Sequence, residues 1–498
     1  NFIIYIAILL IFIYYYIILY IMSKNKIIRD PIYKDVLIDS SEIDIIDSPE
    51  VQRLRNIKQT GLTCMVYPSA NHTRFEHSIG TMHIAGEIFK RFDGIDSNLI
   101  RIAGLLHDIG HPPFSHTLEV NGYNHEYYTK KKIKKMNFEN YTPNEIINVL
   151  SSKSIEGMLL SGDIDADRID YLMRDSYHTG VAYGSIDYNR LIGSMTIYKD
   201  KNNSNENNKL AILEKGKIAV ESLLIARYQM YPTVYMHPTS RISETMLKQA
   251  TIEALYDRLF KIDDLSTMDD IDLISIIRNH GEEESNKLIK MIDKRQLFKN
   301  ISTLKYRELL PIERWRLINL SDYNIRKLEG ELLDKFDIKI FLDIPAYPKI
   351  NEHNIKIVIN DKIYRLDSIS PLANSLKLAY INSWDVRVYA SPKMNGEINK
   401  ITDKDIGEIN KYIFEFIENK TKHGEIYHII EENEKIRGKG NLINIIKEKG
   451  LSEKDVIEEL QKLIFCGLIN ETVEKIGGIY RYDYSINDNP NNINNLKY

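Results

Sequence analysis

The sequence predicts a mainly α-helical protein with small β elements and a C-terminal winged-helix-like α+β unit. Apolar residues recur at helical spacing from Phe75 to Phe92 and from Leu99 to Leu106. Runs of β-branched residues are few and short, and the last ones surround a turn near the C-terminus. A chain of 498 residues has room for about two to four domains with large buried cores.

Further elements follow from local patterns after residue 190. The polar loop 200–208 separates two β segments, Met195–Tyr198 and Lys209–Leu213, and helices are expected at about 217–231 and 239–260. Three β-branched runs lie between residues 336 and 389, and they are Ile338–Leu342, Ile355–Ile359 and Val386–Tyr389.

The C-terminal region has the pattern of a small helix-helix-hairpin unit at 431–485, in which Lys475–Gly478 forms a turn between two short strands. This arrangement is typical of a winged helix, which often serves as a protein-contact module. Residues 487–498 are rich in Asn, so we expect them to be disordered.

Composition limits the function classes. Hydrophobic residues make up 43% and charged residues 27% of the chain, as in an ordinary globular protein, and the net charge is only −4. No global attraction to nucleic acid follows, so a nucleic-acid partner is not required. Cys64 and Cys466 are the two cysteines, which excludes a disulfide framework and a Cys-based zinc site and favours a reducing cytoplasm.

The first residues are an exception to this composition. Residues 1–21 are almost wholly apolar and long enough to span a bilayer, and basic residues from Lys24 onward would place the main body of an anchored protein in the cytoplasm. The chain does not begin with Met, and its many Ile, Asn and Lys residues suggest an AT-rich genome. We therefore favour a mis-assigned start, with Met22 as the true first residue, over a membrane anchor.

A constellation of His and Asp indicates a metal site. His107 and Asp108 are adjacent, His77 precedes them by 30 residues, and Asp167 follows. An adjacent His and Asp at a helix end can both reach one site that the other two residues approach from other helices. Two imidazoles and two carboxylates suit Mn, Fe, Zn or Mg, which would acidify water and polarise a phosphoryl oxygen.

Three motifs resemble one family. They are RFEH at 74–77, HDIGHPPFSH at 107–116 and DRIDYLMRD at 167–175, and they resemble the HD-domain deoxynucleoside triphosphate triphosphohydrolases, which include the sterile-alpha-motif and HD-domain enzymes and their dGTPase-like microbial relatives. The likeness covers residues 26–260, and no sterile-alpha-motif domain is recognisable. The resemblance implies an HD-domain helical core and hydrolysis of dNTPs, dGTP among them, to a deoxynucleoside and inorganic triphosphate.

The resemblance implies a role for each matching residue. His77, His107, Asp108 and Asp167 would bind one divalent metal, with a second Mg arriving on the nucleotide. His116 and His125, with Glu119 and Glu126 beside them, would transfer protons. Arg74 and Arg227, with His111 nearby, would contact the phosphates.

The sugar and an activator have their own implied residues. Gln59 and Asp175 would bind the 3′-hydroxyl, and Tyr171 and Tyr235 would lie against the ribose, with Tyr235 excluding a 2′-hydroxyl. Asp167, Tyr171 and Asp175 are spaced by four residues, so they share one helix face. Asp47, Gln52 and Arg55 match residues that bind an activating guanine nucleotide between subunits, which implies a homo-oligomer, a dimer or a tetramer.

Several positions differ from the family pattern or are expected to have a structural role. Thr60 stands where relatives have Leu beside the sugar, and Pro238 replaces a Lys. His72 and His83 are expected to be structural. A helix capped by Asp47-Ser48-Pro49 would also explain Asp47 without an activator.

Two other functions remain open. A phosphodiesterase acting on cyclic nucleotides or guanosine tetraphosphate would use the same metal ligands, although Arg74, the HPPFSH segment and the Tyr171/Asp175 pair favour the triphosphohydrolase. A non-catalytic scaffold for nucleic acid or protein would not need the full set of metal and proton-transfer residues.

The expected domain organisation has five segments. They are an apolar segment at 1–21, an HD-domain catalytic core at 22–260, a helical domain with a short β portion at 261–430, a winged-helix-like unit at 431–486 and a disordered tail at 487–498.

Overall fold

Helices form most of the protein, as the sequence predicts. The computed structural model describes residues 26–486 except 93, 95, 121, 152–154, 200–207, 348–354, 393–400, 421–426, 428–429, 431–434, 438–452 and 477–478. The expectations for 1–21 and 487–498, and nearly all of the 200–208 loop, lie outside these residues. Within the described part of the chain, no helix has the length and apolar character needed to cross a membrane.

The helices up to residue 256 build the first half of the fold. They are α1 (Ser40–Ile46), α2 (Pro49–Gln52), α3 (Arg74–Phe89), α4 (Ser97–Leu106), α5 (His125–Ile133), α6 (Pro143–Val149), α7 (Ile155–Ser161), α8 (Ala166–Thr179), α9 (Tyr188–Ile192), α10 (Lys217–Met230) and α11 (Pro238–Tyr256).

The remaining helices lie between residues 270 and 466. They are α12 (Asp270–His280), α13 (Glu283–Asp293), α14 (Pro311–Ile318), α15 (Asp322–Phe336), α16 (Leu366–Ile369), α17 (Pro371–Ile381), α18 (Asp403–Lys420) and α19 (Glu453–Cys466).

The strands are short. They are β1 (Lys26–Asp30), β2 (Lys34–Ile38), β3 (Met195–Lys199), β4 (Asn208–Leu213), β5 (Lys299–Lys305), β6 (Ile340–Asp343), β7 (Lys356–Ile359), β8 (Lys362–Arg365), β9 (Asp385–Ala390), β10 (Lys435–Arg437), β11 (Ile469–Ile476) and β12 (Ile479–Ile486).

The helices that carry the motifs begin at well-defined caps. Thr73 and Glu76 form a capping box at the start of α3, so the Glu of the RFEH motif closes the helix end. Asp165 caps α8 by accepting a hydrogen bond from the Arg168 N–H at 2.7 Å. The α3 helix ends at Phe89 rather than at Phe92, because the next N–H groups, those of Arg91 and Phe92, bond only three residues back in tight turns.

The α3, α4 and α8 helices pack around one apolar core. Their inward faces bury side chains such as Ile79, Met82, Leu105 and Leu172 completely. Burying a side chain of this size contributes roughly 1.5–3 kcal/mol, so this core fixes the helices that bear the predicted metal ligands.

The strands of the described residues form four sheets. Two of them have the orders β1-β2 and β3-β4-β7-β8, in which β4 and β7 are parallel, and the other two have the orders β5-β9-β6 and β10-β12-β11. The three β-branched runs predicted between 336 and 389 are strands, but they are divided between two sheets. Residue 260 is the predicted boundary between the catalytic core and the next domain, and β4 and β7, which lie on either side of it, pair in one sheet. The position of this domain boundary stays a prediction.

The C-terminal unit has the strands of a winged helix. β11 and β12 pair antiparallel from Ile469↔Ile486 to Ile476↔Ile479, and the three residues of β10 add to the other edge of β12. The α19 helix precedes this hairpin, and its buried Leu463 and Cys466 belong to a second core that also contains Trp315 and Trp384.

Candidate active site

Two imidazoles and two carboxylates converge between α3, the end of α4 and α8. His77 Nε2 lies 3.1 Å from Asp167 Oδ1 and 3.6 Å from Asp108 Oδ2. His107 Nε2 lies 3.3 Å from Asp108 Oδ2 and 3.9 Å from Asp167 Oδ1. His107 and Asp108 follow directly after the last residue of α4, at the helix end where they were expected.

The outer nitrogens of both imidazoles are occupied. His77 Nδ1 lies 2.8 Å from Asp170 Oδ2, and His107 Nδ1 lies 2.7 Å from the carbonyl oxygen of Gly104, to which it must donate. Each ring therefore directs the Nε2 lone pair inward, as in metal sites whose histidines are oriented by an outer carboxylate or carbonyl. Sequence reasoning missed Asp170, although it lies within the DRIDYLMRD motif.

Asp170 is itself held by a buried ion pair. Arg174 donates to it from Nε at 3.0 Å and from Nη2 at 2.9 Å, and Arg174 Nη1 lies 2.8 Å from Asp30 Oδ2. Burial raises the pKa of Asp170, but Arg174 and the hydrogen bond from His77 outweigh it and hold the pKa well below its ordinary value. Asp170 is therefore an anion wherever the protein is folded near neutral pH.

The absence of a side chain at Gly80 allows α3 to approach this ion pair. A Cβ at position 80 would lie 1.9 Å from Asp170 Oδ1 and 2.4 Å from Arg174 Nη2. Both distances are far inside van der Waals contact. Gly80 thus helps to position the His77 imidazole, because it lets α3 pack closely against the ion pair of Asp170 and Arg174.

The four inward donors fit a divalent cation. His77 Nε2 and His107 Nε2 are buried and have no hydrogen-bond partner among the described residues. Together with Asp167 they place one ligand atom each within 4.8 Å of one another. Burial lowers the pKa of His77, but Asp167 and Asp170 outweigh it and raise the pKa to about 10, which shows how negative the surroundings are. A mixed nitrogen and oxygen donor set of this kind suits Mn, Fe, Zn or Mg.

Arg74 lies at the rim of the metal cradle. Its Nη1 contacts Asp108 Oδ2, and its Nε donates to Ser115 Oγ at 2.8 Å. Ser115 and Phe114 both have left-handed backbone conformations, with φ of 58° and 55°. Such conformations cost roughly 1–2 kcal/mol per residue, so the surroundings must hold this turn in place.

Asp270, the first residue of α12, anchors that turn. Its Oδ1 accepts from the Phe114 N–H at 2.6 Å and its Oδ2 accepts from the Lys58 N–H at 3.0 Å. Ser115 Oγ also donates to the Lys58 carbonyl oxygen at 2.6 Å. The HPPFSH segment and the 58–61 segment are therefore fixed to each other by a residue that no motif identifies.

A cluster of histidines shares one carboxylate beside the metal cradle. Glu119 lies between two imidazoles, 2.9 Å from His116 Nδ1 through Oε2 and in contact with His125 Nδ1 through Oε1. The rings of His111 and His125 are stacked with centroids 4.0 Å apart. Burial raises the pKa of Glu119, but the two imidazoles outweigh it and lower it strongly, so the carboxylate stays ionised.

The members of this cluster differ in exposure. The His116 side chain is 66% exposed and that of His125 is 24% exposed, whereas His111 is buried and its pKa is lowered well below the ordinary value by burial and by Arg74.

His111, His116, Glu119 and His125 could also hold a metal by their spacing. Three nitrogens make the group better suited to proton transfer than to binding Mg, which prefers oxygen ligands. Glu126 is exposed in the first turn of α5.

Beside the metal cradle and the histidine cluster, α8 and the π-helical turn Tyr231–Tyr235 form another wall of the site. Tyr235 Oη donates to Asp175 Oδ2 at 2.6 Å, and the rings of Tyr171 and Tyr235 have centroids 6.5 Å apart. Burial and the charge of Asp175 raise the pKa of Tyr235 well above its ordinary value, so the hydroxyl remains a donor. The predicted common face of Asp167, Tyr171 and Asp175 lines one cavity.

His72 supports this wall from behind. The ring is buried, its Nε2 lies 2.8 Å from Asp175 Oδ1, and it stacks on His178 with centroids 4.4 Å apart. A structural role was expected for His72, and here it orients Asp175. His83 lies instead against the ring of Tyr33, at a centroid distance of 4.8 Å.

These groups surround one cavity of about 440 Å³. Arg74, Asp108, His111, His125 and Asp167 line one end of it. The other predicted residues at the cavity are Gln59, His116, Tyr171, Asp175 and Tyr235, together with Thr60.

Two residues singled out in the sequence are not among those that line this cavity. Arg227 is not among the cavity-lining residues, and its guanidinium carbon lies 5.6 Å from the ring centroid of Tyr380. Pro238 is the first residue of α11, where its fixed φ and missing N–H favour helix initiation.

The candidate activator residues lie close together at the surface. Gln52 Nε2 donates to the Ile46 carbonyl oxygen at 2.8 Å, and Arg55 Nε donates to Gln52 Oε1 at 2.8 Å. Asp47 is exposed and ends α1, while Ser48 and Pro49 begin α2. The segment Asp47-Ser48-Pro49 therefore does begin this helix, but Ser48 rather than Asp47 is the N-cap residue.

The chain matches two family models. Residues 74–175 match the HD domain and residues 186–410 match the HD associated region. An uncharacterized protein of Methanocaldococcus jannaschii is 48% identical over 455 residues, which cover 91% of this chain and 98% of that protein. The deoxynucleoside triphosphate triphosphohydrolase SAMHD1 homolog of Dictyostelium discoideum is 30% identical, over 57% of this chain and 61% of that protein.

Solved structures agree with the sequence comparisons. A hypothetical protein from Aquifex aeolicus superimposes with a TM-score of 0.60 and 28% identity, over 77% of this chain and all of that one. A phosphohydrolase from Bacteroides thetaiotaomicron does so with a TM-score of 0.57 and 28% identity, over 74% and 98%. The chain therefore belongs to the HD-domain phosphohydrolases that carry an HD-associated region.

Proposed function

We propose that this protein hydrolyses deoxynucleoside triphosphates, dGTP among them, to a deoxynucleoside and inorganic triphosphate. One observation carries the proposal. A single cavity joins a cradle for a divalent cation and the cationic Arg74 to the Asp175–Tyr235 wall, which has the hydrogen-bonding groups and the ring needed to bind a deoxyribose. The related SAMHD1 proteins, named as deoxynucleoside triphosphate triphosphohydrolases, support the same reading.

His77, His107, Asp108 and Asp167 would hold the divalent cation. When bound, it supplies Lewis acidity to the phosphoryl group that is attacked and acidifies water. Asp170 and the Gly104 carbonyl keep the two imidazoles in the tautomer that such binding needs. A second Mg would arrive with the nucleotide, because the triphosphate brings its own oxygen ligands.

Arg74 binds the phosphates. Its guanidinium already spans Asp108 and Ser115, so it lies beside the metal cradle in a fixed orientation. A guanidinium can bind phosphate oxygens with two parallel hydrogen bonds. His111 is neutral at pH 7 because of its lowered pKa, and it contributes a neutral donor or acceptor there. Arg227 would contact the phosphates as well; its guanidinium lies over the ring of Tyr380, which packs against the cavity-lining Tyr231.

The histidines that share Glu119 handle protons. Glu119 engages Nδ1 of both His116 and His125, so each ring keeps Nε2 for exchange with water or with the departing 5′-oxygen. A carboxylate behind an imidazole fixes the orientation and the tautomer of the ring, so the ring can transfer a proton at Nε2. Glu126 is exposed next to His125 and takes a secondary part in the same transfer.

The Asp175–Tyr235 wall binds the sugar. Asp175 and Gln59 bind the 3′-hydroxyl, and the rings of Tyr171 and Tyr235 lie against the ribose. His72 and the Tyr235 hydroxyl fix the two oxygens of Asp175, so the position of Tyr235 beside the sugar is fixed as well. A rigid ring at that position leaves no space for a 2′-hydroxyl.

Regulation follows the same family model. Asp47, Gln52 and Arg55 would bind a guanine-nucleotide activator between the subunits of a dimer or tetramer in the cytoplasm. A phosphodiesterase acting on cyclic nucleotides or guanosine tetraphosphate is the alternative, because it would share the metal ligands. The tyrosine wall beside Arg74 favours the triphosphohydrolase.

The test is product analysis with each deoxynucleotide and ribonucleotide, in Mn or Mg. We expect inorganic triphosphate from deoxynucleotides and little turnover of ribonucleotides. Tyr235→Ala should raise the relative rate on ribonucleotides by an amount equivalent to roughly 1–3 kcal/mol. Pyrophosphate as the main product, or equal rates on dGTP and GTP, would exclude the proposal.

A further inference from the structure

The cavity has a second polar region, which consists of residues outside the metal cradle. Glu244 and Arg241, both on α11, line it together with Gly61 and Thr117. Arg241 Nη1 lies 3.3 Å from Glu244 Oε2. The other oxygen, Glu244 Oε1, lies next to Gly61, where a Cβ would be only 3.3 Å from it.

This region of the cavity carries excess negative charge. Arg241 is also bound by Asp343, with Nε 3.0 Å from Oδ2 and with Nη2 in contact with Oδ1. One guanidinium thus faces two buried carboxylates, so the group has a net charge of −1 when both are ionised. Burial raises the pKa of Glu244 to about 7, although Arg241 opposes it. A ligand group that lies here must offer hydrogen-bond donors.

The 58–61 segment connects this region to the reacting end. The Lys58 carbonyl accepts from Ser115 Oγ, which in turn accepts from Arg74, and three residues later Gly61 meets Glu244. Residues 59–61 form a turn in which Gly61 has a φ of 56°, and all three of them line the cavity.

The middle of the same segment offers polar atoms to a ligand. Gln59 Oε1 and Thr60 Oγ1 are buried and have no hydrogen-bond partner within the described part of the chain. Buried polar atoms without partners are costly, so a bound molecule that satisfies them gains affinity. A nucleoside whose sugar lies at Gln59 therefore extends its base past Thr60 towards Glu244.

We infer that Glu244, in its ionised form, recognises the nucleobase and gives the enzyme a preference for guanine. The preference is therefore measured at a pH above the raised pKa of Glu244. This inference rests on the proposed function and adds the identity of its substrate. Guanine presents two adjacent donors, N1–H and the exocyclic amino group, to a single carboxylate. Thymine presents one N–H between two carbonyl oxygens, which a carboxylate repels, so dTTP should be the poorest substrate. Arg241 and Asp343 act as positioning residues for Glu244.

The experiment compares kcat/KM for dGTP and dTTP in the wild type and in Glu244→Gln. Hydrogen bonds to a charged group are worth more than those to a neutral one, so the dGTP/dTTP ratio should fall by roughly 10- to 100-fold. Glu253→Gln is the matched control, because Glu253 is on the same helix but contacts Arg326 at 3.4 Å and not the cavity. Its ratio should equal that of the wild type.

The ratio is measured within one preparation, so a smaller folded fraction of Glu244→Gln cancels. A wild type that releases triphosphate, with an unchanged ratio in Glu244→Gln, overturns the role of Glu244. If the wild type hydrolyses no deoxynucleotide, the proposed function fails instead. Equilibrium dialysis of dGTP and dTTP then tests base recognition without turnover, and equal affinities in the wild type would overturn the inference.

Discussion

Replacing Gly80 by Ala tests whether close packing of α3 on α8 positions the metal ligands. The added methyl group would lie 1.9 Å from Asp170 Oδ1, about 1.6 Å short of an ordinary contact of about 3.5 Å. Neither neighbour can move freely, because Asp170 and Arg174 are fully buried and bonded to each other and to His77 and Asp30. The helices must separate or the ion pair must break.

The cost can be bounded from these contacts. Overpacking a core costs about 1–3 kcal/mol, and breaking a buried ion pair costs about 3–5 kcal/mol. The better helix propensity of Ala returns about 1 kcal/mol. We therefore expect Gly80→Ala to lower the free energy of unfolding by about 0–2 kcal/mol if the helices separate and by about 2–4 kcal/mol if the ion pair breaks. Metal affinity should weaken by about 10–100-fold because Asp170 no longer orients His77.

Urea unfolding and metal titration of the purified variant measure these two effects. Gly86→Ala is the matched control on the same helix, because a Cβ there meets mainly the flexible side chain of Arg101, at 3.0 Å or more. That variant should bind metal like the wild type. Equal stability and equal metal affinity for the two variants would refute the packing argument.

Three other perturbations address different groups. His107→Ala should abolish bound metal and turnover together while the helical circular dichroism persists; metal analysis that finds full occupancy would exclude this ligand. His125→Ala should keep nucleotide binding but lower kcat by about 10²–10⁴-fold, and a proportional loss of binding would indicate a structural role. Glu329 is buried, and burial raises its pKa to about 8 from an ordinary value of 4.5. Its contribution to stability is thus fully present below pH 4.5 and is lost as the pH rises through 8. Between about pH 5 and 8, Glu329 should cost the wild type on the order of 3–5 kcal/mol of its free energy of unfolding, and Glu329→Gln should not show this loss. Unfolding curves that keep the same pH dependence in this variant would contradict the assignment.

The sequence predicted the helical character of the fold and the residues of the metal cradle because both depend on local patterns. Adjacent His107 and Asp108, and the four-residue spacing after Asp167, can be recognised without knowing the fold. The supports of the cradle could not be found in this way. Arg174 contacts Asp30, which is 144 residues away in sequence, and Asp270 contacts Phe114, which is 156 residues away. Only the folded chain brings these residues together.

The sheets illustrate the same limit. The β-branched runs indicated strands correctly, but their partners are distant in sequence, as when β5 pairs with β9. The hairpin of β1 and β2 was missed because it has only five residues per strand. The proposed base contact was not predicted for a different reason. Glu244 lies in a helix with no motif around it, and only the folded chain places it next to Gly61 at the cavity.

The two matched segments contribute different walls to the cavity. Residues within 74–175 form the candidate cation cradle and the proposed proton-transfer cluster, whereas Tyr235, Arg241 and Glu244 come from 186–410. The second segment can therefore accumulate substitutions that change which molecule fits, while the reacting atoms keep their surroundings. A single catalytic core could in this way be reused for many substrates. Directed evolution for a new substrate would do best to randomise Met236, Arg241 and Glu244 and leave α3 and α8 unchanged.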